Sequence, residues 1–216
     1  GIDVPSVMSS RSTCLSAGLG GYKGRALRKN DKLKIEAIKN DRLAEKFRRR
    51  CVSGDNIFAP SWSINAMQKV AIGSTTSVRF IPGKHWSQLD IEDQSIFLKS
   101  KYKVGKSSDR MGCRLDGKSI QGGSGVSQSE ATALGTVQLP PGGQPMILMS
   151  DRQTVGGYPR LGEVATVDLP LVAQIPIGQS LQFVTISLSE AQKLWVLQER
   201  KFRLLRNSLI EKMAQL

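Results

Sequence analysis

Several residue types that active sites often use are scarce in this chain of 216 residues. The chain has one histidine, His85, which argues against a histidine-rich metal site and against a serine–histidine triad that does not use it. The three cysteines, Cys14, Cys51 and Cys113, are far apart and odd in number, so they do not predict a disulfide framework. The sequence therefore predicts reduced thiols and a cytoplasmic protein.

Long apolar runs are also missing. No run approaches the roughly 20 residues of a membrane helix, and no signal-peptide pattern opens the sequence. We therefore expect no membrane partner. The chain begins GIDVP without an initiator Met, so it is expected to be processed or to be part of something longer.

The net charge of +13 raises the question of a nucleic-acid partner. The surplus is local: residues 23–50 hold 12 Lys and Arg against 4 Asp and Glu, and residues 188–216 hold 6 against 3. Residues 51–187 are nearly balanced, with 12 against 10. Aromatic residues are sparse, at 6% of the chain, so no stacking platform for single strands is visible. The pattern favours solvated basic faces, and a nucleic-acid binder stays as an alternative that predicts weaker binding at higher salt.

The turn residues predict a chain built mainly of short strands. It has 21 glycines and 9 prolines between short apolar runs. Strands are predicted at 32–40 and 77–83, a short basic helix or partly ordered arm at 41–51, and a helix at 90–102 with Asp90 as its cap. Four later runs have the rhythm of a sandwich or a closed barrel: GTVQLPPGG, PMILM, EVATVDLP and SLQFVTIS.

The end of the chain has a helical pattern. Ser187 and Glu190 have the spacing of a capping box and predict a helix that continues to about Met213. A stripe of large apolar residues recurs every seven positions, at Trp195, Phe202, Leu209 and Leu216. Such a stripe must pack either on the chain's own barrel or on a partner, and the pattern does not choose between them.

Three stretches combine charge, glycine and hydroxyl groups in a way that a core does not need: 9–27, 108–115 and 150–162. An arginine lies in each, Arg11, Arg110 and Arg152, and its planar guanidinium suits a carboxylate or a phosphate. The simpler alternative for each is an arginine–carboxylate pair that stabilises a turn. GLGGYKG matches neither a Walker loop nor GxGxxG, so no ATP residues are assigned. Lys69 does not match a biotin acceptor, because Gln68 separates it from Met67.

The blocks GIDVP…SRST…AGLGGYKGRAL, SDRMGCRLDG and GTVQLPPGGQPMILMSDRQTVGGYPRLGEVATVDLPLVAQ resemble the allophanate hydrolase subunit 2 family. This family is also called the C subunit of 5-oxoprolinase or biotin-dependent carboxyltransferase-like. The resemblance runs from residue 1 to about 191, is weakest over 30–75, and makes the chain the C-terminal two-thirds of a family member. Ser9 stands where the family has glycine, and Cys14 and Cys113 where it has an aromatic residue, which bears on substrate preference.

The resemblance implies a mainly β protein with a cyclophilin-like barrel, short helices and a C-terminal amphipathic helix. The expected organisation is the remainder of an N-terminal barrel region over 1–75, the barrel over 76–187 and the basic helix over 188–216. It also implies a subunit 1-type paralogue and a LamB-type subunit as partners, without which the chain is expected to be inactive. ATP is expected to serve the complex and not necessarily this chain, and neither a metal nor covalent biotin is expected.

The implied activity is ATP-dependent processing of a small amide or lactam, foremost the hydrolase reaction that opens 5-oxoproline to glutamate. Alternatives are urea-amide or carboxyltransferase metabolism, and a regulatory protein that antagonises a kinase inhibitor. At the end of the strand at 146–149, Arg152 is expected to hold a carboxylate or phosphoryl oxygen and Gln153 to pair with an amide. Asp151 is expected to orient Arg152 or act as a base, and Tyr158 offers a ring and a hydroxyl. Substrate-binding positions are expected at Arg11, Ser12, Thr13, Arg110, Met111, Gly112, Thr154, Gly156 and Gly157.

Overall fold

The computed structural model describes residues 1–37, 44, 45, 49, 63, 75–122 and 128–214. They fall into two compact units, one within 1–63 and one within 64–214. The predicted basic segment at 41–51 lies outside the described residues except at three positions. Lys69 also lies outside them.

The first unit is built of turns. Strand pairing among its described residues is limited to isolated bridges, Ile2 with Ile35, Val7 with Ser10, and Cys14 with Leu19, and the described residues Ala44, Glu45 and Arg49 are helical. The predicted strand at 32–40 is therefore reduced, in its described part, to the single bridge at Ile35. Backbone φ is positive at several neighbouring positions, and a chain in this conformation cannot continue a ladder. These positions are Gly18, Gly20, Gly21, Lys23 and Gly24.

The second unit contains a closed barrel, which confirms the predicted fold class. Its seven strands are β1 Thr76–Pro82, β2 Tyr102–Val104, β3 Gly112–Asp116, β5 Thr136–Gln138, β6 Met146–Leu148, β8 Arg160–Val164 and β9 Ser180–Thr185. They lie in the order β1–β8–β5–β6–β3–β2–β9, and β9 closes the ring by pairing in parallel with β1. All other pairs in the ring are antiparallel. Two short strands, β4 Glu130–Ala131 and β7 Val155–Gly156, form a separate ribbon.

The barrel interior is apolar and rich in aromatic rings. Alternation along β1 and β9 turns Phe80 and Phe183 inward, where both are almost fully buried. Helix α1, Ile91–Lys99, contributes Phe97, whose ring stacks on Phe183 at 4.4 Å between centroids. As predicted, the Asp90 side chain caps α1 by accepting a hydrogen bond from Asp93 N.

Helix α1 is shorter than the predicted span of 90–102. Ser100 already has an extended backbone, and Tyr102 begins strand β2 with a fully buried side chain. Residues 100–102 are extended because pairing β2 with β3 and β9 places Tyr102 in the core. Tertiary packing here overrides the local helical pattern.

The run EVATVDLP is not a strand as a whole. Strand β8 ends at Val164, and the chain turns through a 3₁₀ helix at Thr166–Asp168 into helix α2 at Leu169–Val172. The Asp168 carboxylate accepts hydrogen bonds from Arg79 N at 2.8 Å and from Arg79 Nε at 2.9 Å. This buried anchor and Pro170, which lacks an N–H for a ladder, explain why the strand stops.

The predicted C-terminal helix is present as α3, Leu188–Ala214. Its capping box is confirmed: Glu190 N donates to Ser187 Oγ at 3.2 Å, and Ser187 N donates to Glu190 Oε2 at 2.8 Å. Ala191 and Leu194 pack against the 3₁₀ segment, whereas Trp195 and Phe202 remain about half exposed. The helix thus packs on its own unit through its first turns. No helix in the described part of the chain is both long and apolar enough to span a membrane.

Candidate functional site

The outer face of four neighbouring strands, β8, β5, β6 and β3, carries the site. Residues that lie directly opposite each other in a sheet present their side chains to the same face. The register therefore defines one row across the outer face, composed of Arg160, Gln138, Met146 and Arg114. Glu163, Thr136, Leu148 and Gly112 form the neighbouring row.

The β4–β7 ribbon covers the polar end of these rows. Thr132 N donates to Thr154 O at 2.9 Å, and Lys84 forms an ion pair with Glu130. Gly156 lies directly against the Gln138 carboxamide, because a Cβ at this glycine would stand 2.6 Å from Gln138 Nε2. Neither Gly156 nor Gly157 has a positive φ, so neither adopts the backbone conformation that favours glycine. Gly156 provides close approach instead.

A cavity of about 210 Å³ lies beside this cover. It brings together four of the predicted site residues: Gln153, Tyr158, Met111 and Gly112. The apolar wall consists of Met146 and Leu148 from β6. An amide, a phenol and the charged side chains of Asp109 and Arg114 thus line one small space with an apolar wall, an arrangement that suits a small ligand with both a planar polar group and an apolar skeleton.

The backbone donors at one edge of this cavity are already used. Asp109 Oδ1 accepts hydrogen bonds from Met111 N at 2.8 Å and from Gly112 N at 3.1 Å. Asp109 therefore stabilises the turn before β3, which is the simpler of the two roles considered for this stretch. Met111 and Gly112 shape the cavity wall without offering these two amides to a ligand.

Asp151 pairs with Arg110 and not with Arg152. Arg110 Nε lies 2.8 Å from Asp151 Oδ2, and both side chains are exposed. Asp151 N also donates to Arg110 O at 2.8 Å, so the backbone places the carboxylate beside Arg110. The prediction that Asp151 orients Arg152 is wrong, because strand pairing of β3 with β6 brings Arg110 closer than the neighbour in sequence. The pair borders a second cavity of about 370 Å³ that also contacts Cys113.

Arg152 is half-buried, and its Nε has no hydrogen-bond partner among the described residues. Gln138 is 1% exposed, and its Oε1 is likewise without a partner in the described part of the chain. One buried donor and one buried acceptor are thus left unused, although most buried polar atoms in proteins are paired.

Charged groups surround this end of the face. Arg160 Nε lies 2.8 Å from Glu163 Oε1, within ion-pair distance but without the geometry of a hydrogen bond, and Thr136 Oγ1 donates to the same carboxylate at 3.0 Å. Burial raises the pKa of Glu163, and Arg160, Thr136 and Arg152 offset part of that rise. Arg160 N donates to His85 Nδ1 at 3.0 Å, which gives that nitrogen an acceptor role.

The predicted positions near residue 11 belong to the first unit. Arg11 forms an ion pair with Glu36, as the simpler interpretation of this stretch expected. Arg11 and Thr13 line a cavity of about 480 Å³ with Tyr22 and Arg25, and Ser12 does not. The guanidinium of Arg25 forms two 2.8 Å hydrogen bonds with Asp31, which holds the pKa of that carboxyl well below its usual range.

Thr136, Gln138 and Glu163 were missed as candidates from the sequence. The available signal was the pair of polar residues, Thr136 and Gln138, on either side of Val137 in the run GTVQLP. Val137 belongs to the apolar core, and the two polar side chains on the opposite face of the strand are buried as well. Among the described residues, no group of three or more His, Cys, Asp or Glu side chains is placed to hold a metal ion.

Comparison with known families identifies the chain. The carboxyltransferase domain family, subdomain A and B, matches residues 1–185. The chain belongs to this family. It is 36% identical over 203 residues to the C subunit of 5-oxoprolinase from Escherichia coli, covering 94% of this chain and 59% of that protein. It is 30% identical over 206 residues to urea amidolyase of Lachancea kluyveri, covering 90% of this chain and 11% of that protein.

A solved structure agrees with this membership. The chain superposes on the urea amidolyase of Kluyveromyces lactis with a TM-score of 0.68 and 26% identity, covering 93% of this chain and 12% of that one. This chain spans less than two thirds of the length of the curated relatives that it matches. Their names include 5-oxoprolinase and urea amidolyase, so the chain resembles parts of enzymes that act on small amides or lactams.

Proposed function

We propose that this chain is a subunit of an ATP-dependent complex that opens a small lactam, with 5-oxoproline as substrate and glutamate as product. The observation that carries the proposal is that Gln153 and Tyr158 line one cavity of about 210 Å³, and that Arg152, which precedes Gln153 in the sequence, is half-buried. This volume is below the roughly 300 Å³ at which pockets for drug-sized ligands begin. It suits a ligand of the size of one amino acid.

The side chains of the site match the groups of such a ligand. The Arg152 guanidinium would bind the ligand carboxylate, and Gln153 would donate its side-chain amide N–H to the lactam carbonyl. Tyr158, which is 39% exposed, would donate its hydroxyl proton to a ligand oxygen. Asp151 would hold Arg110 in position at the rim of the site through their ion pair.

The chain would act with a subunit 1-type paralogue and a LamB-type subunit in the cytoplasm. ATP would be consumed by the complex, and no residue of this chain is assigned to it. The site residues of this chain would bind and orient the ligand. The activation of the lactam would require the other subunits. This division agrees with a relative that is named as one subunit of a larger enzyme.

The test is 5-oxoproline-dependent ATP hydrolysis by the chain assembled with these two subunits. Arg152→Ala should lower kcat/KM by roughly 10- to 100-fold, since a hydrogen-bonded charge contact to the ligand is lost. Arg200→Ala, on the exposed part of helix α3, is the matched control and should leave kcat/KM unchanged. Unchanged turnover by Arg152→Ala in the assembled complex would contradict the assigned role.

Urea is the second candidate substrate, because two relatives are named urea amidolyase. The same complex is therefore assayed with urea in place of 5-oxoproline. ATP hydrolysis that responds to urea and not to 5-oxoproline would assign the site to urea-amide processing. A response to neither in a complete, folded complex would reject both proposals.

A further inference from the structure

Gln138 occupies a position that the fold itself does not explain. It stands in the middle of the outer face, between Arg160 and Met146, and is 1% exposed. Its Oε1 finds no donor within the described part of the chain. Leaving a buried acceptor unpaired is unfavourable, and replacing it by an apolar side chain of similar shape would remove that cost. A glutamine at this position therefore indicates a hydrogen bond that forms only with a ligand.

The cover holds the Gln138 carboxamide in a defined position. The missing side chain of Gly156 lets the ribbon backbone approach, and a Cβ there would lie 2.6 Å from Gln138 Nε2 and 3.3 Å from Thr132 Cγ2. Because the amide group is pressed between strand β5 and the ribbon, its oxygen does not rotate freely toward water. Such a preorganised acceptor discriminates between ligands more strongly than a mobile one.

Arg152, in the segment between β6 and β7, supplies a donor of matching kind. Arg152 Nε is buried and has no partner among the described residues. The Arg152 guanidinium lies near enough to Glu163 to lower the pKa of its carboxyl. Glu163 lies opposite Thr136, which is two residues before Gln138 on β5. Met146, directly opposite Gln138, forms part of the cavity wall. Gln138 thus lies opposite a residue of the cavity wall, and Arg152 directly precedes Gln153, which lines the same cavity.

We propose that Gln138 is a specificity-determining residue that accepts, through Oε1, a hydrogen bond from the N–H of an amide or lactam ligand. Arg152 Nε donates to the carbonyl oxygen of the same group. The inference rests on the proposed function in taking the ligand to be an amide or lactam. Entry requires the two-residue strands β4 and β7 to shift, because both orphan atoms are covered in this structure.

Two ring compounds isolate this hydrogen bond: 2-pyrrolidinone carries the lactam N–H, and γ-butyrolactone has an ester oxygen in its place. Each is titrated, by nuclear magnetic resonance, into the full chain assembled with its partner subunits. Wild type should bind the lactam roughly tenfold more tightly than the lactone, because the lactone places an oxygen against the Gln138 acceptor. Gln138→Met should bring the ratio of the two affinities close to one.

Two further variants separate recognition from folding. Gln138→Glu keeps an acceptor in place and should retain the lactam preference, whereas Gln182→Met, on strand β9, removes a glutamine that donates to Leu98 O at 3.0 Å and should leave the ratio unchanged. Thermal melting verifies that each variant is folded. An unchanged ratio in Gln138→Met, equal affinities in wild type, or binding of neither compound would each overturn the inference.

The outcome is independent of the reaction that the complex performs. If 5-oxoproline is not turned over but the lactam preference depends on Gln138, the proposed reaction fails and the recognition of an amide N–H stands. If 5-oxoproline is turned over and the preference does not depend on Gln138, the inference alone fails.

Discussion

The two faces of barrel strand β5 have opposite chemistry. On β5, β6 and β8 the inner side chains Val137, Ile147 and Leu161 are fully buried and apolar. Next to them on the outer face, Thr136 and Gln138 are just as buried but polar, and Gln138 keeps an unpaired atom. Burial alone therefore does not reveal what a position does. The inner face stabilises the barrel, and the outer face under the ribbon maintains unpaired groups that stability does not require.

The largest expected effect comes from the inner face. Phe183→Ala removes a ring that stacks at 4.4 Å on Phe97, and the cavity should lower the free energy of unfolding by about 3–5 kcal/mol. Urea unfolding followed by circular dichroism measures this. Phe202→Ala, on the half-exposed part of α3, is the control and should cost far less. Equal losses for the two variants would mean that the inner face is not the main source of stability.

A smaller effect is expected where the ribbon meets the outer face. Gly156→Ala places a methyl group against the buried Gln138 carboxamide and should lower the free energy of unfolding by about 1–3 kcal/mol. It should also speed hydrogen exchange of the Thr132 amide, which bonds to Thr154 O.

Gly142→Ala is the matched control, since its Cβ would meet nothing within 4 Å, and it should be neutral or slightly stabilising. If Gly156→Ala behaves like Gly142→Ala, the ribbon does not press on Gln138 and the contrast between the two faces weakens.

The exposed rim should contribute less still. In a double-mutant cycle of Arg110→Ala and Asp151→Ala, the coupling free energy should stay below about 1 kcal/mol, because both side chains are exposed to solvent. The measurement is urea unfolding of the two single variants and the double variant. A coupling above about 2 kcal/mol would show that this pair supports the fold and is more than part of the rim.

The smallest effect at neutral pH concerns a polar group on the inner side. The Tyr102 hydroxyl is buried and has no well-formed hydrogen bond among the described residues, so Tyr102→Phe should change stability by less than about 1 kcal/mol at pH 7. Burial raises the pKa of Tyr102 to about 12, with a small opposing effect of Ser100.

Because the folded state keeps this proton more tightly than the unfolded chain, the pH dependence has a definite sign. Wild type should lose stability as the pH rises from 10 toward 12, and Tyr102→Phe should lose less over the same interval. Chemical unfolding at pH 9, 10 and 11 measures the difference. Parallel curves for the two proteins would show that the hydroxyl is hydrated in the folded state.

Local patterns predict the elements whose signals are complete within a few residues. The Asp90 cap and the Ser187–Glu190 capping box belong to this group, as does the strand of residues 77–83. The end of α1 and the end of β8 were not predictable, because the pairing of Tyr102 and the anchoring of Asp168 involve residues far away in sequence.

The same limit applies to the site. Sequence order placed Asp151 beside Arg152, whereas strand pairing placed it beside Arg110. The association of Gln153 and Tyr158 in one cavity was predictable, since both lie in the short segment between β6 and β8. The importance of Gln138 became apparent only when the register defined which face it occupies and the ribbon showed what covers it.

The parallel pairing of β1 with β9 has a consequence for the order of folding. Thr76 lies opposite Leu181, so the ring closes between segments about a hundred residues apart. Bringing such distant segments together carries a loop-closure entropy that short hairpins avoid, which slows folding. On the ribosome, β1 leaves the exit tunnel long before its neighbour is synthesised. The Phe80 side chain therefore lacks its contact with Phe183 until the last strand of the barrel has been synthesised.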